Sequence, residues 1–181
     1  MEIVKPDLKK AAKAIKKGKV IVCPTDTVYG LVCDAANKKA VERLFKIKRR
    51  SRRKPIPIFV RDIKTAKKLA EINREQEIFL KQVWPGKVTA VLRSKNKGKI
   101  GLRIPKYEFV LSLAKQLNRP LTGTSANISG KPFSTKIREV LKQFKGQKYQ
   151  PDLVIDAGNL RSSKPSKVID LTIWPPKILR F

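Results

Sequence analysis

The chain contains no histidine among its 181 residues. That absence excludes Ser-His-Asp and Cys-His nucleophilic catalysis, histidine acid–base chemistry and histidine-ligated metals. An enzyme built from these residues works by positioning and electrostatics, or through Lys, Tyr, Cys or carboxylates. Cysteine is nearly as scarce: Cys23 and Cys33 stand ten residues apart, in no CxxC, and cannot complete a zinc set. Two reduced, structural thiols in a cytosolic protein are expected. No apolar run approaches the length of a membrane span, and the opening MEIVKPDLKKAAKAIKKGK lacks the uninterrupted apolar core and cleavage site of a leader. A soluble, cytoplasmic protein with no membrane partner is expected. Acids are also few, 14 Asp plus Glu against 43 Lys plus Arg, for a formal net charge of +29. A polyanion such as RNA, DNA, a nucleotide or an anionic lipid fits that balance. Because the excess is spread along the whole chain, a solubilising Lys-rich surface accounts for it equally well.

What is present reads as one domain, residues 1–181, long enough to bury roughly two thirds of its unfolded surface. Leu8, Ala11, Ala12 and Ile15 recur at helical spacing before Gly18, a C-terminal cap. The run KVIVC, 19–23, is apolar after its Lys, as in a strand covered on both faces. Asn37 can cap a helix bearing Ala40, Val41, Leu44 and Phe45, and IPIFV at 56–60 follows as a second strand. Strand, helix and strand with short links predict a crossover unit and an α/β fold. Asp62 and Asn73 cap two further helices, the second with Gln76 in a capping box and stopped by Pro85-Gly86. KVTAVLR and KIGLRIP flank a Gly-containing turn as an antiparallel pair, so the sheet is mixed. Helices at 106–117 and 134–144, a short strand into TGTSANISG, and strands near 152–156, 167–172 and 177–181 complete the prediction.

Three segments could carry chemistry. PTDTVYG, 24–30, leaves the end of an apolar strand, where α/β sheets bind ligands, and clusters Thr25, Asp26, Thr27 and Tyr29. On composition alone a plain turn, with Asp26 bonding its own backbone, is the favoured reading. TGTSANISG, 122–130, offers hydroxyls, Asn127 and backbone amides to a phosphate near a helix N-terminus, but lacks the GxxxxGK[ST] spacing of a P-loop. A polar connector is its bland reading. KIKRRSRRK, 46–54, holds seven basic residues in nine and no acid, between a helix and a strand. Its arginines offer planar forks to phosphate or carboxylate. For any single one of them, a solvated role is the commoner outcome.

Taken together, these segments resemble the YrdC family, whose characterised members are threonylcarbamoyl-AMP synthases acting in tRNA modification. PTDTVYGL resembles the family's PT[ED]TVYGL loop, KIKRRSRRKP its KxR segment, and TSANISGKP its SxN loop. QVWPGKVTAVL resembles a WPGxxT turn and strand, and GLRIP a VRxP strand. The five motifs run collinearly from Val20 to Arg180. The resemblance implies a twisted, mixed parallel and antiparallel sheet flanked by helices around a basic cavity. It implies ATP, L-threonine and bicarbonate as substrates, threonylcarbamoyl-AMP and pyrophosphate as products, and a downstream threonylcarbamoyl transferase that modifies the tRNA adenosine 3′ of the anticodon. Matched by position, Lys48, Arg50, Ser125 and Asn127 form the central tetrad. Thr27, Arg103 and Ser166 fall at threonine-binding positions, and the tetrad with Lys54 and Arg180 at ATP-binding positions. Mg²⁺ is implied as the companion of ATP, held by phosphates and water rather than by protein side chains.

The implied chemistry suits a chain without histidine, because the substrate's own carbamate is the nucleophile and the enzyme stabilises an anionic transition state. The sequence departs from the family pattern at several outer positions. Lys54 stands where many relatives have Asn, Phe59 where long-form members have a threonine-contacting His, and Gly123 where a hydroxylated residue is frequent. Lys167 replaces a usual Thr, and the chain is expected to group with the short, single-domain members that lack the long-form C-terminal domain. Two other readings stay open. One is an RNA-binding YrdC-like module that makes no adenylate. The other, carbamoyl-adenylate chemistry in hydrogenase maturation, implies extra domains and zinc motifs that this sequence lacks.

Overall fold

The computed structural model describes residues 1–181. In chain order the elements are β1 (Glu2–Val4), α1 (Leu8–Lys16), β2 (Ile21–Cys23), β3 (Gly30–Val32), α2 (Lys38–Lys48), β4 (Ile58–Phe59), α3 (Ile63–Leu69), α4 (Arg74–Val83) and β5 (Val88–Arg93). They continue as β6 (Lys99–Arg103), α5 (Glu108–Leu117), β7 (Leu121–Thr122), β8 (Thr124–Ser125), α6 (Ile137–Phe144), β9 (Leu153–Ile155), β10 (Lys167–Asp170) and β11 (Lys177–Arg180). The helix starts follow from local side-chain chemistry. Asp7, Asn37 and Asp62 each accept a hydrogen bond from the backbone N–H three residues on, at 2.8, 3.1 and 2.6 Å. Asn73 and Gln76 exchange reciprocal bonds of 2.8 and 2.9 Å as a full capping box. At the far end of α1, Gly18 adopts φ +72°, a turn its missing Cβ permits.

The α/β class and mixed pairing are as expected, but the strands divide between two sheets. The first runs β1-β9-β2-β3-β8 and the second β11-β10-β5-β6-β4-β7. Each combines parallel and antiparallel pairs. The predicted crossover from KVIVC to IPIFV therefore joins two sheets instead of closing a unit within one: β2 pairs with β3 and β9, whereas β4 pairs with β6 and β7. Helix α6 begins at Ile137, after a turn in which Ser134 Oγ accepts from the Lys136 N–H and donates to Glu139.

Side-chain alternation then sorts each strand's two faces. In β2, Ile21 and Cys23 pack with Ala11 and Ile15 of α1 and Leu113 of α5. Val22, between them, packs on the opposite face with Leu44 of α2 and Val140 and Phe144 of α6. The first sheet is thus covered on both faces, which is why its central strand is apolar throughout. The second sheet is different. Ala90, Leu92, Leu102 and Ile169 pack beneath α3 and α4 with Ala66 and Leu80. The alternate residues Thr89, Val91, Gly101, Arg103 and Val168 face a cavity instead. Its opposite wall is the edge of the first sheet and the C-terminal end of α2. No helix is long and apolar enough to cross a membrane.

Candidate functional site

The cavity encloses about 670 Å³, and all nine residues singled out from the sequence line it: Thr27, Lys48, Arg50, Lys54, Arg103, Ser125, Asn127, Ser166 and Arg180. Arg49 and Lys99 add further cations, while no Asp or Glu is among the lining residues. The space is of the size that small-molecule sites use, and its charge selects anions.

On one wall stands Lys48, the last residue of α2 and only 2% exposed. Its Nζ donates to Ser125 O at 2.6 Å, Asn127 Oδ1 at 2.8 Å and Asn127 O at 3.1 Å, with Ser125 Oγ at 3.3 Å. An ammonium has three protons, so four oxygens already exceed its donors. Burial, then repulsion from Arg50, pulls the Lys48 amine down to about 7. The surrounding oxygens act in the other direction, favouring the ammonium. Ser125 Oγ donates to Asn127 Oδ1 at 2.6 Å, and Asn127 Nδ2 donates to the carbonyls of Ile128 and Lys131 at 3.1 and 2.6 Å. Lys48, Ser125 and Asn127 form one closed network.

The loop 122–130 left two readings open, backbone amides offered to a phosphate or a polar connector, and most of its N–H groups are engaged within the protein. Gly123 donates to Pro57, Ala126 to Tyr29, Asn127 to Ser125 and Ser129 to Lys48, while Ile128 donates to the Gln143 side chain. Nor does a helix start there, since α6 opens only at Ile137. What the loop supplies is the Ser125 hydroxyl and a rigid seat for a cation.

Arg50 is arranged differently. Arg49 closes α2 in the left-handed region at φ 50°, which turns Arg50 toward the cavity. Its guanidinium donates only to the carbonyls of Lys54 and Pro55, at 2.8 and 3.0 Å, and meets no carboxylate. Burial and then Arg180 hold its pKa below the ordinary arginine value. Lys54 lies exposed at the mouth of the cavity. Lys46, Arg49, Arg52 and Arg53 are exposed, the solvated rim expected of the basic run.

The facing wall is built on Arg103, 3% exposed at the end of β6. Its guanidinium donates to Asp26 Oδ1 at 2.5 Å, Gly86 O at 2.9 Å and Thr27 Oγ1 at 3.4 Å. Asp26 also accepts from the Lys106 N–H at 3.0 Å. The expectation that Asp26 serves its own turn is therefore wrong: Thr25 does that work, donating to Val28 O at 2.7 Å and accepting from the Thr27 N–H at 3.1 Å. Asp26 is left to orient Arg103 from behind. Burial lowers the Arg103 pKa, and Asp26 opposes that shift. Arg180 donates to Ser166 O at 2.7 and 3.2 Å, and Ser166 Oγ lies 2.9 Å from Thr89 Oγ1. Asp26, Thr89 and Lys99 are among the lining or supporting residues that sequence reasoning did not single out as site residues. Alternation in KVTAVLR was the available signal for Thr89, a hydroxyl opposite the core face.

Residues 13–181 match the Sua5/YciO/YrdC family, described as Telomere recombination. A Pyrococcus abyssi protein named threonylcarbamoyl-AMP synthase is 38% identical over 180 residues, covering 94% of this chain and 52% of its own length. A Methanocaldococcus jannaschii relative is 37% identical over 181 residues, 94% of this chain and 84% of its own. The crystal structure of P. abyssi Sua5 complexed with L-threonine superposes with a TM-score of 0.89 at 36% identity, over 99% of this chain and 56% of that one. The chain thus spans about half the length of the P. abyssi protein.

Proposed function

The chain belongs to the Sua5/YciO/YrdC family, and from that premise we propose that residues 1–181, as one YrdC-like domain, make L-threonylcarbamoyl-AMP and pyrophosphate from ATP, L-threonine and bicarbonate. The observation that carries this reading is the cavity between the two sheets. It sets a buried, carboxylate-anchored arginine on one wall and an acid-free group of cations and hydroxyls on the others. Arg103, steadied by Asp26, is the seat for the threonine carboxylate, with Thr27 and Ser166 beside it. Arg50, Lys54 and Arg180 receive the triphosphate, and Ser125 with the cation of Lys48 faces the reacting centre.

The threonine amine adds to carbon dioxide derived from bicarbonate and loses a proton, giving a carbamate. A carbamate oxygen then forms a bond to the α-phosphorus of ATP as the bond to pyrophosphate breaks. Negative charge gathers on the phosphoryl oxygens, and preorganised donors stabilise it without an enzyme nucleophile. The walled cavity limits water, which protects a carbamate that decomposes readily. Magnesium enters on the triphosphate, in keeping with a lining that holds neither Asp nor Glu. The product would pass in the cytoplasm to a transferase that modifies tRNA. Pyrophosphate release that requires both L-threonine and bicarbonate is the expected result. ATP turnover indifferent to threonine would sink the proposal.

A second reading, an RNA-binding module without adenylate synthesis, draws on the exposed rim of Lys46, Arg49, Arg52 and Arg53 and on the +29 charge. It predicts a log–log salt slope of roughly 0.9 per duplex phosphate contacted. Salt-insensitive or absent RNA binding would count against it.

A further inference from the structure

The proposed reaction gives no role to Thr89, which lines the cavity from β5 and is only 2% exposed. β5 lies between β10 and β6, and the two branches of the Thr89 side chain divide between these neighbours. Its methyl group points toward Gly101 of β6, 3.5 Å from where a Cβ on that glycine would stand. Its hydroxyl points toward β10 and lies 2.9 Å from Ser166 Oγ, the one hydrogen-bond partner it has. The backbone around Ser166 is already fixed. Pro165 precedes it, the Lys167 N–H donates to Lys87 O at 2.9 Å, and the Ser166 carbonyl accepts from Arg180 at 2.7 and 3.2 Å. What the backbone leaves open is the Ser166 side chain, because an unbranched hydroxymethyl group turns among three staggered rotamers. Threonine is stiff at χ1, so a bond from Thr89 can set that rotamer.

We propose that Thr89 is a positioning residue that makes Ser166 a hydrogen-bond donor aimed into the cavity at the amino-acid substrate. The proposal rests on the reading of Ser166 as part of the threonine seat. A hydroxyl has one proton and two lone pairs. With Thr89 donating to Ser166 Oγ, and Arg180 Nη2 approaching the same oxygen at 3.4 Å, both lone pairs face donors. The Ser166 proton is then left for a third partner, and the cavity is where one can stand. A carboxylate or carbamate oxygen there selects this direction of donation, since it accepts and cannot donate. The bonds from Thr89 to Ser166 and from Ser166 to the anion run in one sense and strengthen each other. Ser166 thereby serves both substrates: its carbonyl holds the arginine that receives the nucleotide, and its hydroxyl meets the amino acid.

The test is steady-state pyrophosphate release as L-threonine and ATP are varied in turn. Thr89→Val keeps the shape of the side chain and removes the hydroxyl. It should raise the KM for L-threonine about 2- to 12-fold, the loss of one neutral hydrogen bond. The KM for ATP should stay unchanged, because the Ser166 carbonyl still receives Arg180. Thr89→Ser restores the hydroxyl and should recover most of the loss. Thr89→Ala, which guards against a failure of the valine variant to fold, should raise the KM for threonine at least as much as valine does. Ser166→Ala should raise it as well, and Thr89→Val/Ser166→Ala no further than Ser166→Ala alone, as when one residue acts only through the other. A purely structural role for Thr89 would raise both KM values together and lower the urea midpoint. That result, an unchanged KM for threonine in Thr89→Val, or additive losses in the double variant, overturns the inference while leaving the synthase reading intact. A protein that releases no threonine-dependent pyrophosphate at all overturns both.

Discussion

Lys48 and Arg103 are both buried cations on the cavity wall, and the protein satisfies them by opposite means. Arg103 has a carboxylate, Asp26, with an oxygen 2.5 Å away. Lys48 has none, only neutral oxygens of Ser125 and Asn127 between 2.6 and 3.3 Å. A guanidinium keeps its proton even when desolvated, and the fixed pair holds it in one orientation. An amine without a counter-charge does not, and Lys48 is drawn down to about 7. One wall thus carries a permanent charge suited to a carboxylate that is always ionised. The other carries a charge that responds to pH and to the arrival of an anion.

The contrast breaks first at Asp26. Asp26→Ala leaves Arg103 buried without its partner and should destabilise the fold by about 3–5 kcal/mol in urea unfolding. Next is Arg50, which has no carboxylate and only backbone acceptors. Arg50→Ala should lower kcat/KM for pyrophosphate release by about 2.7–4 kcal/mol, with stability changed by no more than about 0.5 kcal/mol. Those two variants separate a cation built into the fold from one held free for substrate.

Lys48 lies between these cases. Its folded pKa, about 7, is below the roughly 10.4 of an unfolded lysine. Between these values the unfolded chain holds more protons, so this group makes stability rise with pH above 7 and imposes its full burial penalty below. Lys48→Met should remove that rise between about pH 7 and about 8, where unfolded cysteines, with a pKa of about 8.5, are still mostly protonated. At pH 8 the same variant should cost about 1–3 kcal/mol, because the carbonyls of Ser125 and Asn127 lose a buried donor, and less at pH 6. Parallel denaturation curves of the two proteins measure it. The smallest effect belongs to the rim: Arg52 meets Glu42 at 3.4 Å with both side chains well exposed, and Arg52→Ala should cost under about 1 kcal/mol.

The sequence was most readable where structure is local. Asn37, Asp62 and the Asn73–Gln76 box each declare a helix start through bonds spanning three residues. The nine candidate residues were also legible, because the resemblance to the family's motifs points to them, and each lines the cavity. Strand partnership was not. IPIFV follows α2 closely, yet its hydrogen bonds go to β6 and β7, more than forty residues further on. The strand β3 starts only at Gly30, the last residue of the segment read as a turn, and β7 and β8, at two residues each, are too short to show alternation. The role of Asp26 was illegible for the same reason, since its partner Arg103 lies 77 residues away and only the fold brings them together.

The central claim is that this cavity joins threonine, as its carbamate, to the α-phosphate of ATP. Mass analysis of the product formed from ATP, labelled bicarbonate and L-threonine tests it most directly. The account predicts threonylcarbamoyl-AMP bearing the bicarbonate label, with one pyrophosphate released per adenylate. Label-free nucleotide products, or pyrophosphate formed at the same rate without threonine, would contradict it.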